Sequence, residues 1–317
     1  MPDTSFPVVT MKRSVLFLTA LVLAMVVLPS SLVTEGSFPS LPFPAPDGSA
    51  DDSAAREGAL PGPENSGEGH ERQEEQEEQK ELRFSDFSAS TVGEFPEGWQ
   101  WRKHRDGGEP EEARDEGVDI SRWEVQEENG DKYLHIRNEH HPGHTVSVFL
   151  DVEDEEWNLH EYPILSWRWR VHEVPPGADE RYTETNDSPA AVAVVFGKKM
   201  FFIPITIKWV WSSTLPVGAV AYRPGRGRAY NIVLNSGTER LGEWITVERN
   251  IFNDYISIFG ELPPDEPLAI QLQTDANRTP GGAAEADYDD FKALSSFSEG
   301  YPREPFVLKK EYMEGNK

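Results

Sequence analysis

Alternation dominates the second half of the chain. In YPILSWRWRV, Trp167, Trp169 and Val171 fall on one side of an extended backbone, and Ser166, Arg168 and Arg170 on the other. That spacing predicts a β-strand with one face built for a core. The same period places Val146, Val148 and Leu150 on one face of HTVSVFLDVE, and Ile205, Ile207, Trp209 and Trp211 on one face of ITIKWVWSST. In RAYNIVLNSG the inward set is Tyr230, Ile232 and Leu234. In PLAIQLQTD, Leu268, Ile270 and Leu272 oppose Gln271, Gln273 and Asp275. The segment AAVAVVFG, Ala190 to Gly197, is continuously apolar, as expected of a central strand. Turn-rich PPGAD, RPGRGR, NSGTERLG and TPGG separate these runs.

A single segment has helical spacing. RNIFNDYISIFG offers Asn250 as N-cap, apolar Ile251, Phe252, Tyr255 and Phe259, and Gly260 as a stop. Arg249 and Asp254 flank its start and are expected to fix it against a sheet. Many short strands with one short helix predict an all-β fold, a two-sheet β-sandwich of about 210 residues.

The N-terminal part reads differently. Met11-Lys12-Arg13 precedes an apolar run, Val15 to Pro29, which predicts a hydrophobic helix acting as a signal peptide or a membrane anchor over residues 1–34. The run is short beside the roughly 20 residues of a comfortable span, and no A-x-A cleavage site follows it. Residues 1–10 resemble no part of a signal, which leaves Met1 and Met11 both open as the start. Residues 35–82 are rich in Pro, Gly, Ser and Glu, and bury too little to offset their ordering entropy; they predict a disordered acidic linker. The sandwich is expected over 83–296 and a tail over 297–317.

Composition removes several function classes. The chain has no cysteine, so disulfides, thiolate metal sites and cysteine nucleophiles are excluded. Its net charge of −26 argues against nucleic acid and against adsorption to anionic lipid. Residues 35–82 hold 13 acidic against 3 basic residues, and the part from Arg83 onward still carries −17. An acidic surface is one route to solubility at high salt. The chain contains no G-x-S-x-G, no P-loop and no H-E-x-x-H.

The order YPILSWRWRV, TNDSPAAVAVVF, KWVWSST, VLNSGTERLGEWITVERNIFNDYISIFGELPP, QLQTDANRT and ADYDDF resembles the bacterial DUF3047 family over roughly Val92 to Phe291. The resemblance implies an exported or membrane-tethered protein, periplasmic or extracellular. It also implies a jelly-roll-like sandwich similar to carbohydrate-binding modules, with no established activity. Two departures stand out. The family's D-D-x-A-A-R strand is matched by TNDSPAAVAV, with Asn186 and Asp187 but no arginine. Its T-D-x-D-N-T is matched by TDANRT, which keeps Asp275 and puts Asn277 where the second acid belongs.

The predicted ligand face carries Arg168, Arg170 and Lys208, with Asp187, Gln271, Gln273 and Asp275 as polar partners, on one sheet. Guanidinium groups suit carboxylate, sulfate or phosphate; pairing with the domain's own acids is the competing role. Trp167, Trp169, Trp209 and Trp211 are either a sugar-stacking platform or core, and the alternation favours core for the first two. Trp99 and Trp101, in FPEGWQW, are the candidates for an exposed platform. Asp86, with Asp290 or Asp289, offers oxygen ligands for a structural Ca²⁺ by analogy with carbohydrate-binding jelly rolls. His140, His141 and His144 in HHPGH form a weaker transition-metal candidate. The expected function is binding of a glycan or other cell-envelope polymer. One alternative is a polysaccharide lyase or hydrolase using Asp187, Asp275 and Arg249; the other is a structural or protein-binding envelope module.

Overall fold

The computed structural model describes residues 79–103, 107–108, 123–139, 146–199, 203–222, 228–302 and 306–313. The expected signal or anchor and nearly all of the expected linker lie outside the described residues, as do His140, His141 and His144. Among the described residues no helix is long and apolar enough to cross a membrane.

The described residues build two sheets. Sheet A runs β12 (Ile245–Asn250), β7 (Ile164–Glu173), β14 (Ala283–Leu294), β5 (Asp131–Glu139) and β4 (Trp123–Glu128), with β1 (Glu81–Ser85) paired to the end of β14. Sheet B runs β10 (Val220–Tyr222), β11 (Arg228–Ser236), β9 (Ile203–Ser212), β8 (Ala190–Lys199), β13 (Ala269–Gln273), β6 (Val146–Asp151), β2 (Gln100–Lys103) and β3 (Gly107–Gly108). β11 and β9 pair in parallel, inserting β11 between β9 and β10. The fold is the two-sheet β-sandwich with one short helix that the strand pattern predicts. Because β1 begins at Glu81, the sheet claims the last two residues assigned to the linker.

The alternating residues meet between the sheets. Trp167, Trp169 and Val171 from β7 are fully buried against Val192, Val194, Ile207, Trp209 and Trp211 from sheet B. Trp167 lies 6.2 Å from Trp209, and Trp169 lies 6.4 Å from Trp211, ring centroid to centroid. Indoles at these separations remove large apolar areas from water and add edge contacts. Three of their N–H groups find acceptors: Trp169 on Asn235 Oδ1 (3.2 Å), Trp209 on Asp254 Oδ2 (2.8 Å) and Trp211 on the Gly237 carbonyl (2.9 Å). Tyr288 of β14 also joins the two sheets. Its hydroxyl accepts from the Ala191 amide at 3.1 Å and donates to the Gln273 carbonyl at 2.9 Å. β8 is covered on both faces, which explains its unbroken apolar run.

Helix α1 (Ile251–Phe259) starts and stops where its caps predict. Asn250 Oδ1 accepts the Asn253 amide at 2.8 Å, and Gly260 adopts a left-handed φ of 70° while its N–H returns to the Ile256 carbonyl. Arg249 donates from Nε to Asp254 Oδ2 at 3.1 Å, and the same carboxylate holds Trp209. The helix is thereby fixed to both sheets. The C-terminal segment packs back on the body rather than trailing from it. The Ser298 amide donates to Glu248 Oε2 at 2.9 Å, Phe306 lies 4.1 Å from the Arg249 guanidinium, and the Lys309 amide donates to the Gly218 carbonyl at 2.7 Å.

Candidate functional site

The residues expected on one sheet face are divided between two sheets. Arg168 and Arg170 lie on β7 in sheet A, whereas Lys208, Gln271 and Gln273 lie on β9 and β13 in sheet B. Each residue does point away from the core, but from opposite outer faces of the sandwich. Alternation fixes which side of its own strand a residue takes; it carries no information on which sheet the strand joins.

On sheet A the arginines are engaged by this chain's own acids. Arg168 donates to Asp289 Oδ2 at 2.9 Å and also bonds Asp131; Arg170 donates to Asp287 Oδ2 at 2.7 Å and to Glu128 Oε2 at 2.9 Å. The Trp244 ring covers both guanidinium carbons, at 4.7 and 4.6 Å. Asp287 is 1% exposed and also binds His135 Nδ1 and His172 Nε2, each at 2.7 Å. Burial alone would raise its pKa, but hydrogen bonds from both histidines and Arg170 outweigh burial and hold it at about 2. Neighbouring Asp289 keeps a buried oxygen without a partner, and burial, only partly offset by Arg168, raises it to about 6. This face is an ion-pair network closed on itself.

Sheet B presents a different surface. Strand register aligns Asn231 (β11), Lys208 (β9), Ala193 (β8), Gln271 (β13), Phe149 (β6) and Gln100 (β2) in one outward row. The outward residues of β8 are Ala191 and Ala193, small and both buried, and Val195. Lys208 Nζ reaches across the two alanines to Gln273 Oε1 at 2.5 Å, and Gln273 Nε2 donates on to Asp275 Oδ2 at 2.7 Å. Gln271 Nε2 donates to Ser147 Oγ at 2.9 Å. At strand spacings of about 4.8 Å, this row of six spans about 24 Å. Phe149, half-buried, adds an aromatic side chain to this row. The alternation of Val148 and Leu150 turns it outward, a signal already present in the sequence.

Asp187 and Asp275 come together at one end of this face, where the Asp275 amide donates to the Ser188 carbonyl at 3.0 Å. Asp187 is fully buried. It accepts the Arg278 amide at 3.0 Å, the Thr279 amide at 2.6 Å and the Thr279 hydroxyl at 2.6 Å, so it clips the loop after β13. Sequence reasoning missed Glu180 nearby. It is fully buried, accepts hydrogen bonds from Ser188 and Ser212, and is pushed up by burial to about 7. Its segment, DERYTETNDS, reads as an ordinary polar turn. Arg249 spends its guanidinium on Asp254 and does not join Asp187 and Asp275.

Trp99 and Trp101 are not an exposed platform. They are 6% and 2% exposed, with Trp99 packed 5.6 Å from Phe291, because the strand they enter lies over the core. Asp86 accepts from the amide and hydroxyl of Ser88 at 3.0 and 2.6 Å, and Asp290 pairs with Lys292 at 3.1 Å and Arg83 at 3.6 Å. Among the described residues no group of three or more His, Asp or Glu is arranged to hold a metal.

The family described as "Protein of unknown function (DUF3047)" matches residues 100–292. No curated protein sequence matches the chain. Among solved structures, it is similar to the family 11 carbohydrate-binding module of the cellulosomal cellulase Lic26A-Cel5E of Clostridium thermocellum. That likeness has 10% identity and a TM-score of 0.33, and covers 70% of this chain and 98% of that one. A family 29 carbohydrate-binding module gives 8% identity and a TM-score of 0.29, covering 72% and 99%. A Cel12A cellulase variant derived from Rhodothermus marinus gives 16% and 0.34, covering 54% and 84%.

Proposed function

The chain belongs to the DUF3047 family, and from that premise we propose that it binds a glycan or related cell-envelope polymer on the outer face of sheet B. The observation that carries this reading is the row across that face: half-buried Lys208, Gln271 and Phe149 and exposed Gln100 line up across the strands, with small, buried Ala193 between Lys208 and Gln271. Half-buried Gln271 and Lys208 and exposed Gln100 supply donors and acceptors of the kind that sugar hydroxyls use, while buried Gln273 and Asp275 hold Lys208 in place from behind. Phe149 supplies an apolar surface for a ring face. Arg168 and Arg170 are left out of the site because their guanidiniums are occupied by Asp289, Asp131, Asp287 and Glu128.

Binding is favoured over polysaccharide cleavage by a specific feature. Asp187 is spent on the loop after β13, Asp275 and Glu180 are buried, and Arg249 is bound to Asp254, so these groups are not presented to a substrate on that face. Export, with residues 1–34 as signal or anchor, belongs to the same proposal; fractionation of cells and N-terminal sequencing test it. A glycan array probed with the full-length protein tests the function. A specific hit is expected, and a blank array with folded protein would turn the search to protein partners and a structural role.

A further inference from the structure

We propose that the row on sheet B is closed at its β10–β11 end, so that it takes the end of a glycan chain rather than the chain's interior; this rests on the binding reading above. The outward positions beyond that end of the row, and those beside it on β11, β9 and β8, are not open surface. Ala191, Val210, Ala219, Ala221 and Val233 form a second apolar cluster on the outer side of sheet B, at most 1% exposed, with Leu215 and Tyr312 packed on them. Two segments make this roof. The turn after β9 folds back over the sheet, with the Leu215 amide donating to Ser212 Oγ at 3.0 Å and Thr214 Oγ1 donating to the Ala178 carbonyl at 2.7 Å. The C-terminal segment lies beside it. The Val220 amide donates to the Lys309 carbonyl at 3.3 Å, and Tyr312 stands 5.8 Å from the Arg181 guanidinium.

Exposure along the row follows from the roof. Asn231, next to the roofed positions, is 2% exposed; Lys208, Gln271 and Phe149 are half-buried; Gln100, at the far end, is exposed. Ala221 continues the row past Asn231 and is covered completely. A polymer threading across the sheet would have to displace Leu215 and Tyr312. A chain end would stop against them, with its terminal hydroxyls near Asn231 and Lys208.

The stoichiometry of binding distinguishes the two. Full-length protein is titrated into soluble glucan, xylan and mannan, each intact and after partial endo-cleavage to shorter chains at equal mass, by isothermal calorimetry. The expected result is one protein per chain at every length, so that sites per unit mass rise in proportion to the number of chain ends. Sites that increase with chain length, several proteins on one long chain, would overturn chain-end recognition while leaving the binding reading intact. No binding to any of these polymers or to a glycan array would overturn the binding reading and this inference with it.

Discussion

Replacing Glu180 with glutamine should stabilise the protein at neutral and alkaline pH and leave it unchanged in acid. Glu180 sits between β7 and β8, fully buried, with its oxygens bonded at 3.1 Å to the Ser188 hydroxyl and at 2.7 Å to the Ser212 hydroxyl. Among the described residues no cation pairs with it. Burial raises its pKa from 4.5 to about 7, against the pull of those two hydroxyls. Below pH 4.5 both folded and unfolded chains hold the proton, and there is no penalty. Between 4.5 and about 7 the unfolded chain releases it and the folded chain does not, so stability falls as pH rises. Each pH unit in that window costs about 1.4 kcal/mol, which sums to about 3 kcal/mol above it. Glutamine keeps the shape of the protonated acid and never ionises. Urea unfolding of wild type and Glu180→Gln should therefore give similar stabilities near pH 4, and a gain of about 3 kcal/mol for the variant near pH 8. A difference that is the same at both pH values would refute the picture of a dry, neutral carboxyl.

Other consequences can be checked separately. Asp287→Asn should cost about 3 kcal/mol, because it removes the buried anion that His135, His172 and Arg170 share. It should also bring the His172 imidazole, now held above 6.5 chiefly by its hydrogen bond to Asp287, back toward 6.5 in an NMR titration; an unchanged titration would contradict that assignment. In wild type the Asp287 contribution is complete above pH 3.8 and is lost as pH falls through about 2, so it sets an acid limit on stability. Gly218→Ala should loosen the C-terminal segment: φ there is +88°, and a Cβ would stand 2.5 Å from the Val307 carbonyl. Limited proteolysis should then cut beyond residue 300, and an unchanged pattern would count against Gly218 holding that segment on the body. Tyr288→Phe should cost about 1–3 kcal/mol by leaving the buried Ala191 amide and Gln273 carbonyl short of a partner; a neutral result by urea unfolding would show that the sheets do not depend on this hydroxyl.

What the sequence made legible follows from how local each feature is. The inward faces of β7, β9, β11 and β13 were readable because a strand repeats every two residues. The ends of α1 were readable because Asn250 and Gly260 cap it with adjacent atoms. The pairing of strands was not, because it depends on contacts far apart in the chain. Arg168 bonds Asp289, and Lys208 bonds Gln273, across separations of 121 and 65 residues. This is why Arg168 and Lys208 were expected together and lie on opposite faces. Glu180 was hidden for a related reason: its burial is created by residues brought in from Ser212 and Ser188. Trp99 and Trp101 alternate with exposed Gln100, but the strand they enter is only four residues long, too short for its period to stand out from a turn-rich surrounding.

The most direct test of the binding face is a titration of the best glycan-array hit against four forms of the full-length protein: wild type, Gln271→Ala, Phe149→Ala and Trp244→Ala. The first two variants alter the outer face of sheet B, and the third alters the outer face of sheet A. Loss of binding in Gln271→Ala and Phe149→Ala, with wild-type affinity in Trp244→Ala and unchanged melting temperatures for the first two, is the predicted result. Binding that survives both sheet B changes and is lost in Trp244→Ala would place the site on sheet A and contradict the account.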